Sequence, residues 1–124
     1  SHGHVINVSS IHAKLTKPRF TCYAASKAAL EALTRSLAIE LSPLGISVNA
    51  IAPAAIETEM LVAGFKGKSA EFKKLEECHP SRTIGVPEDV ARFVKSVTDH
   101  TGPFLTGSIL DFNGGISGRL HDPA

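Results

Sequence analysis

Two short β-branched runs separated by one long helical stretch constrain this chain more than anything else in it. "HVINVSS" (residues 4–10) contains Val5, Ile6 and Val8 and reads as a buried strand. "TCYAASKAALEALTRSLAIEL" (Thr21–Leu41) places Ala25, Ala29, Leu30, Leu33, Leu37 and Leu41 at helical spacing, an apolar stripe. Pro43 then stops the helix, Gly45 accepts a left-handed turn, and "ISVNAIA" (residues 46–52) forms a second strand. Strand, long helix and strand joined this tightly make a βαβ unit, which requires a parallel sheet.

Beyond Pro53 the pattern loosens. Residues 57–63 and 69–78 have the composition of short helices, and "GFKGK" between them reads as a mobile, lid-like insertion. "VPEDVARFVKSV" (residues 86–97) puts Pro87 at a first helical position and Glu88 and Asp89 in the first turn, where the helix dipole favours acids. "GSILDFNGG" (residues 107–115) predicts a third strand with a glycine stop, followed by a loose tail. The fold class is therefore α/β, one domain over residues 1–124. A buried-type strand this close to the first residue predicts that the sheet continues upstream of the sequence in hand.

Composition removes several function classes. Thirteen Lys and Arg against twelve Asp and Glu give a net charge of +1, with no basic run able to track a phosphate backbone, so nucleic acid is not expected as a partner. Apolar runs are short, so no membrane segment is expected. Two cysteines, Cys22 and Cys78, lack paired spacing and fit a reducing, cytoplasmic compartment; Cys22 reads as a small buried residue. Six histidines invite a metal, but no ligand spacing accompanies them, and no metal site is expected. The lysines at 66, 68, 73 and 74 with Arg82 suit an acidic substrate such as a carrier-bound acyl group, although a solvated face explains them as well.

The chemistry begins with Tyr23 and Lys27. Four positions apart at the start of a helix, they share a face, and an ammonium near a phenol favours the phenolate. Alone this is weak, since a chance lysine stands four after a tyrosine on the order of once in fifteen cases. Ser10 at the C-terminal end of the first strand and "PAAIET" after the second reach the same rim, where ligands bind in open parallel sheets.

"NVSS", "YAASK" with Tyr23 thirteen residues after Ser10, "ISVNAIAP", "IETEM", "HPSRTIGVPEDVA" and "FLTGSILDFNGG" resemble, in order and spacing, the C-terminal half of the short-chain dehydrogenases/reductases, particularly members like the 3-oxoacyl-carrier-protein reductases. The resemblance runs from Gly3 to about Ser117. It implies a Rossmann-type parallel sheet flanked by helices, of which this chain holds about three strands, and an oxidoreductase that interconverts an alcohol and a carbonyl with NAD or NADP. On that resemblance Tyr23 is the general acid/base, Lys27 assists it and holds the nicotinamide ribose, and Ser10 holds the substrate oxygen. Pro53, Ala54, Ile56 and Thr58 line the nicotinamide, with Thr58 and the Ile56 backbone on its carboxamide.

Two features depart from the family pattern. Ala54 and Ala55 stand where glycine is usual after the proline, and Asn113 replaces a common aspartate. The glycine-rich phosphate loop belongs to the N-terminal half, and no such stretch occurs in this sequence. The expectation is thus that these 124 residues alone are inactive, and that they form a homo-oligomer or bind their own N-terminal half. The competing reading is a truncated, inactive remnant or oligomerisation module of the same fold.

Overall fold

The computed structural model of the chain describes residues 2–100 and 102–120. Three parallel strands, β1 (Gly3–Val8), β2 (Ile46–Pro53) and β3 (Ile109–Phe112), form one sheet in the order β1-β2-β3. Val5 stands beside Val48 and Val8 beside Ile51; on the other side Ala50 stands beside Ile109 and Pro53 beside Phe112. β2 is central and buried from Ser47 to Pro53, as a continuous apolar run in a parallel sheet requires. Val48, Ala50, Ile51 and Ala52 make the middle of the core.

Helix α1 (Thr21–Leu41) links β1 to β2 and ends in a short 3-10 turn, Ser42–Leu44, closed by Gly45 at φ 74°. The expected glycine stop is therefore observed, in the left-handed region that glycine enters without steric cost. The expected stripe is met in part: Leu30, Leu37 and Leu41 are half-buried on one face with the fully buried Thr34 and Ala38, while Ala25, Ala29 and Leu33 are exposed. Thr34 joins that face for a polar reason. Asn7 Nδ2 donates to Thr34 Oγ1 at 2.9 Å, and the Thr34 hydroxyl donates to the Leu30 carbonyl at 2.8 Å, so Thr34 sits satisfied against the sheet. Cys22, expected to be buried, is exposed in the first turn of α1, and both cysteines are free thiols.

Beyond β2, α2 (Glu59–Gly64) and α3 (Ser69–Cys78) form an excursion whose own rings meet, Phe65 edge-on to Phe72 at 5.7 Å. Its two ends are pinned together. Glu57 N donates to Gly85 O at 2.8 Å and Gly85 N to Ala55 O at 3.0 Å, so the segment after β2 and the segment before α4 (Pro87–His100) form a bridge. Helix α4 runs past the expected residue 97, and its Phe93 ring stacks on Phe112 of β3 at 5.1 Å. Strand alternation puts Phe112 on the side of the sheet opposite Asp111. β3 is shorter than expected, because Asn49 of β2 ties the preceding loop directly: its Nδ2 donates to Leu105 O and its Oδ1 accepts from Ser108 N, both at 3.0 Å. The expected loose tail begins with a 3-10 turn at Ile116–Gly118, and its residues 121–124 lie outside the described residues. No described helix is long and apolar enough to cross a membrane.

Candidate active site

The site is assembled where β1 and β2 end. β1 stops at Val8 rather than running to residue 10. Ser9 N still donates to Ile51 O at 2.8 Å, but Ser10 turns away to cap a 3-10 turn, Ile11–Ala13, accepting from His12 N at 3.1 Å. The Ser10 hydroxyl proton remains free to donate. Ser10 borders a cleft of about 300 Å³ closed by Glu31 of α1, Ala52 of β2, and Ile109 and Asp111 of β3. A larger groove, about 630 Å³, lies at the other end of α1 between Arg35, Ile39, Pro43 and Thr106. It faces the N-terminal ends of the strands, and the chemistry of open parallel sheets belongs at the C-terminal ends.

Tyr23 and Lys27 sit in the first turns of α1, on that C-terminal rim. Lys27 Nζ lies 5.7 Å from the Tyr23 ring centroid and donates to the Val8 carbonyl at 2.9 Å. An ammonium has three protons, so two stay available for a ligand. Tyr23 is 44% exposed, its ring open to whatever occupies the rim. His12, which no local sequence pattern marks, touches both Ser10, through its backbone N, and Tyr23, through its ring. Its ring stacks on Phe20 at 4.4 Å and meets Tyr23 edge-on at 5.6 Å, while Nδ1 bonds the Thr16 hydroxyl at 2.9 Å. Burial first, and the nearby Lys17 charge second, hold His12 below the usual histidine range.

Glu31 was equally silent in the sequence. One turn beyond Lys27, it accepts from the buried Ser9 hydroxyl at 2.8 Å, which anchors the chain just before Ser10. Neither His12 nor Glu31 belongs to a local pattern, and only the spacing from Ser10 and Lys27 could have drawn attention to them. Asp111 closes the cleft on the β3 side, 3.8 Å from Lys14 Nζ.

Pro53 ends β2, and Ala54, Ile56 and Thr58 follow it on the same rim. Ala54 N donates to Phe112 O at 3.3 Å and Thr58 N to Ile56 O at 2.8 Å, so this loop is shaped by its own backbone. Thr58 caps α2, its Oγ1 accepting from Leu61 N at 3.2 Å, which leaves the hydroxyl proton to donate elsewhere. Among the described residues, no hydrogen bond joins this loop to Tyr23 or Lys27.

A family model described as enoyl-(acyl carrier protein) reductase matches residues 1–117, nearly the whole chain. The chain belongs to the short-chain dehydrogenase/reductase family. It is 38% identical over 93% of its length to 3beta-hydroxysteroid dehydrogenase 1 of Eggerthella lenta, and 38% identical over 93% to the 3-oxoacyl-[acyl-carrier-protein] reductase FabG of Rickettsia prowazekii. It spans 44% and 46% of those two proteins, somewhat under half the length of the curated relatives it matches. The solved structure of ElxO with NADP bound superposes on 94% of the chain with a TM-score of 0.85 at 30% identity, the chain covering 47% of ElxO. The three-stranded parallel sheet with its helices is thus a Rossmann-type portion of an oxidoreductase family fold.

Proposed function

We propose that this chain is the catalytic and substrate-side half of an NAD- or NADP-dependent oxidoreductase that interconverts an alcohol and a carbonyl, with Tyr23 as the general acid/base. The observation that carries the reading is one constellation. His12 contacts Ser10 through its backbone N and Tyr23 through its ring, and the Lys27 ammonium stands 5.7 Å from the Tyr23 ring, all on the C-terminal rim of a parallel sheet.

Each residue then has one task. Ser10, whose oxygen already accepts from His12 N, donates its own proton to the substrate oxygen and fixes it. Tyr23 gives its phenolic proton to that oxygen during reduction and takes it back during oxidation. The Lys27 charge opposes the negative charge that develops on the phenolic oxygen, and its two unused protons suit ribose hydroxyls. The Thr58 hydroxyl, free as a donor, suits a carboxamide oxygen, and the backbone from Pro53 to Ile56 supplies the wall beside it. When bound, a nicotinamide cofactor supplies or accepts the hydride. The residues present fit that group, and the NADP-bound relative supports the choice. Ala54 and Ala55 add methyl groups where the family pattern has glycine, and both are only half-buried, so the wall keeps its opening.

A small-molecule substrate, a cytoplasmic home suited to free thiols, and association with a second copy or with an N-terminal half complete the reading. By itself, the 124-residue chain is expected to be inactive, because the pyrophosphate cradle of the fold lies outside its sequence. The deciding experiment is Tyr23→Phe in the full-length protein that carries this chain. Turnover should fall by about a hundredfold or more while cofactor affinity, read by fluorescence titration, stays near the parent value. Turnover within about tenfold of the parent would remove Tyr23 from the chemistry.

A further inference from the structure

The segment that joins β1 to α1 carries charge of one sign only. Residues 1–30 contain Lys14, Lys17, Arg19 and Lys27 and not one Asp or Glu, in a chain whose net charge is +1. Two of the four cations are occupied: Lys14 faces Asp111 at 3.8 Å, and Lys27 donates to the Val8 carbonyl. Lys17 and Arg19 have no carboxylate partner among the described residues.

Lys17 is also not simply extended into water. Its ammonium lies over the Phe20 ring, 4.8 Å from the centroid, and Phe20 in turn meets the Tyr23 ring edge-on at 5.9 Å. The ammonium is therefore no farther from Tyr23 than those two distances laid end to end. Its field reaches inward, since it helps hold His12 toward the neutral form. Arg19 stands in the turn that delivers Phe20, at φ 74°, a conformation an L-residue rarely adopts and one that concentrates at functional sites. A solvated lysine face would need neither the ring seat nor the strained turn.

We infer that the substrate handled at Tyr23 is a small hydroxy or keto acid whose carboxylate docks on Lys17 and Arg19, along the edge of the His12–Phe20 stack. This rests on the reading of Tyr23 as general acid/base and adds the substrate class. The carboxylate supplies the countercharge these cations lack, and the guanidinium fork matches its two oxygens. The stacked rings of His12 and Phe20 give the intervening carbon chain an apolar wall, while its far end reaches Ser10 and Tyr23.

The test uses the full-length protein with its cofactor and matched pairs: lactate, 3-hydroxybutyrate, 4-hydroxybutyrate and 6-hydroxyhexanoate, each against its methyl ester. At the best chain length, kcat/KM for the acid should exceed that for the ester by about tenfold at low salt, and the ratio should collapse in high salt. It should also collapse in the Lys17→Gln, Arg19→Gln double variant. A second measurement needs no turnover. The His12 ring, followed by NMR and assigned with His12→Gln, should titrate at higher pH when the acid is present and not when the ester is, because a bound anion favours the imidazolium. Esters that match their acids, or a His12 midpoint that no acid moves, would overturn the inference. The first of those results would leave the Tyr23 assignment standing, whereas an active Tyr23→Phe variant with a mobile His12 midpoint would do the reverse.

Discussion

The Lys27 ammonium donates to the Val8 carbonyl at 2.9 Å, so the helix that carries Tyr23 is fastened to the last residue of β1 by the lysine paired with that tyrosine. Together with the Asn7–Thr34 and Ser9–Glu31 bonds, it holds α1, which carries Tyr23, against the strand that leads into Ser10. Lys27→Met removes the charge and the bond together. The expected outcome in the full-length protein is a lower kcat and a higher cofactor KM, with only about 1 kcal/mol lost from stability because the Val8 end is exposed to water. Steady-state kinetics paired with urea unfolding separate the two effects, and an unchanged cofactor KM would refute the ribose role.

How much of this was legible beforehand depends on where each contact is made. β2 was readable because burial on both faces leaves a continuous apolar run, and α1 because Ala, Leu and Glu favour helix throughout. The face that α1 buries was readable only in part. Thr34 looks like a surface residue, and Glu31 like a solvated acid, until Asn7 and Ser9 of the neighbouring strand region are placed beside them. Those pairs are 27 and 22 residues apart, and no local periodicity carries them. Ser10, Tyr23 and Lys27 were legible only as a set, through their spacing. His12 was not, since its importance comes from ring contacts that the 3-10 turn after Ser10 creates.

Asn49 offers a stability test that is independent of catalysis. It is fully buried, and its amide satisfies both Leu105 O and Ser108 N, clamping the loop that leads into β3. Asn49→Ala leaves one acceptor and one donor without partners at about 1–3 kcal/mol each, so unfolding should be easier by about 2–6 kcal/mol. Chemical denaturation measures this, and a loss below about 0.5 kcal/mol would mean that water replaces the clamp.

His12 gives the molecule a predictable response to mild acid. Its folded pKa lies below the ordinary value of 6.5, with burial the larger cause and Lys17 the second. Well above 6.5 the ring is neutral in both states and contributes no pH dependence. As pH falls through that value the unfolded chain takes up the proton first, so stability is lost until pH drops below the folded pKa. His12→Gln should flatten this part of the stability profile. Unfolding free energies of parent and variant across the mildly acidic range check it; parallel profiles would show that His12 titrates alike in both states.

Among the described residues β1 pairs with a strand on one side only; on its other edge the Val8 carbonyl accepts from Lys27, no strand pairs with the rest, and Val5 and Val8 are 38% and 50% exposed. Such an edge pairs readily with another strand. The 124-residue polypeptide prepared alone is therefore expected to self-associate, or to hold on to an added N-terminal segment of the same fold. Val5→Lys should push the equilibrium toward monomer, because a charge on an edge strand opposes further pairing. Sedimentation equilibrium on parent and variant reads both outcomes. A parent that runs as a monodisperse single chain and unfolds cooperatively would show that β1 is stable with its edge open, and that association must be sought on another surface.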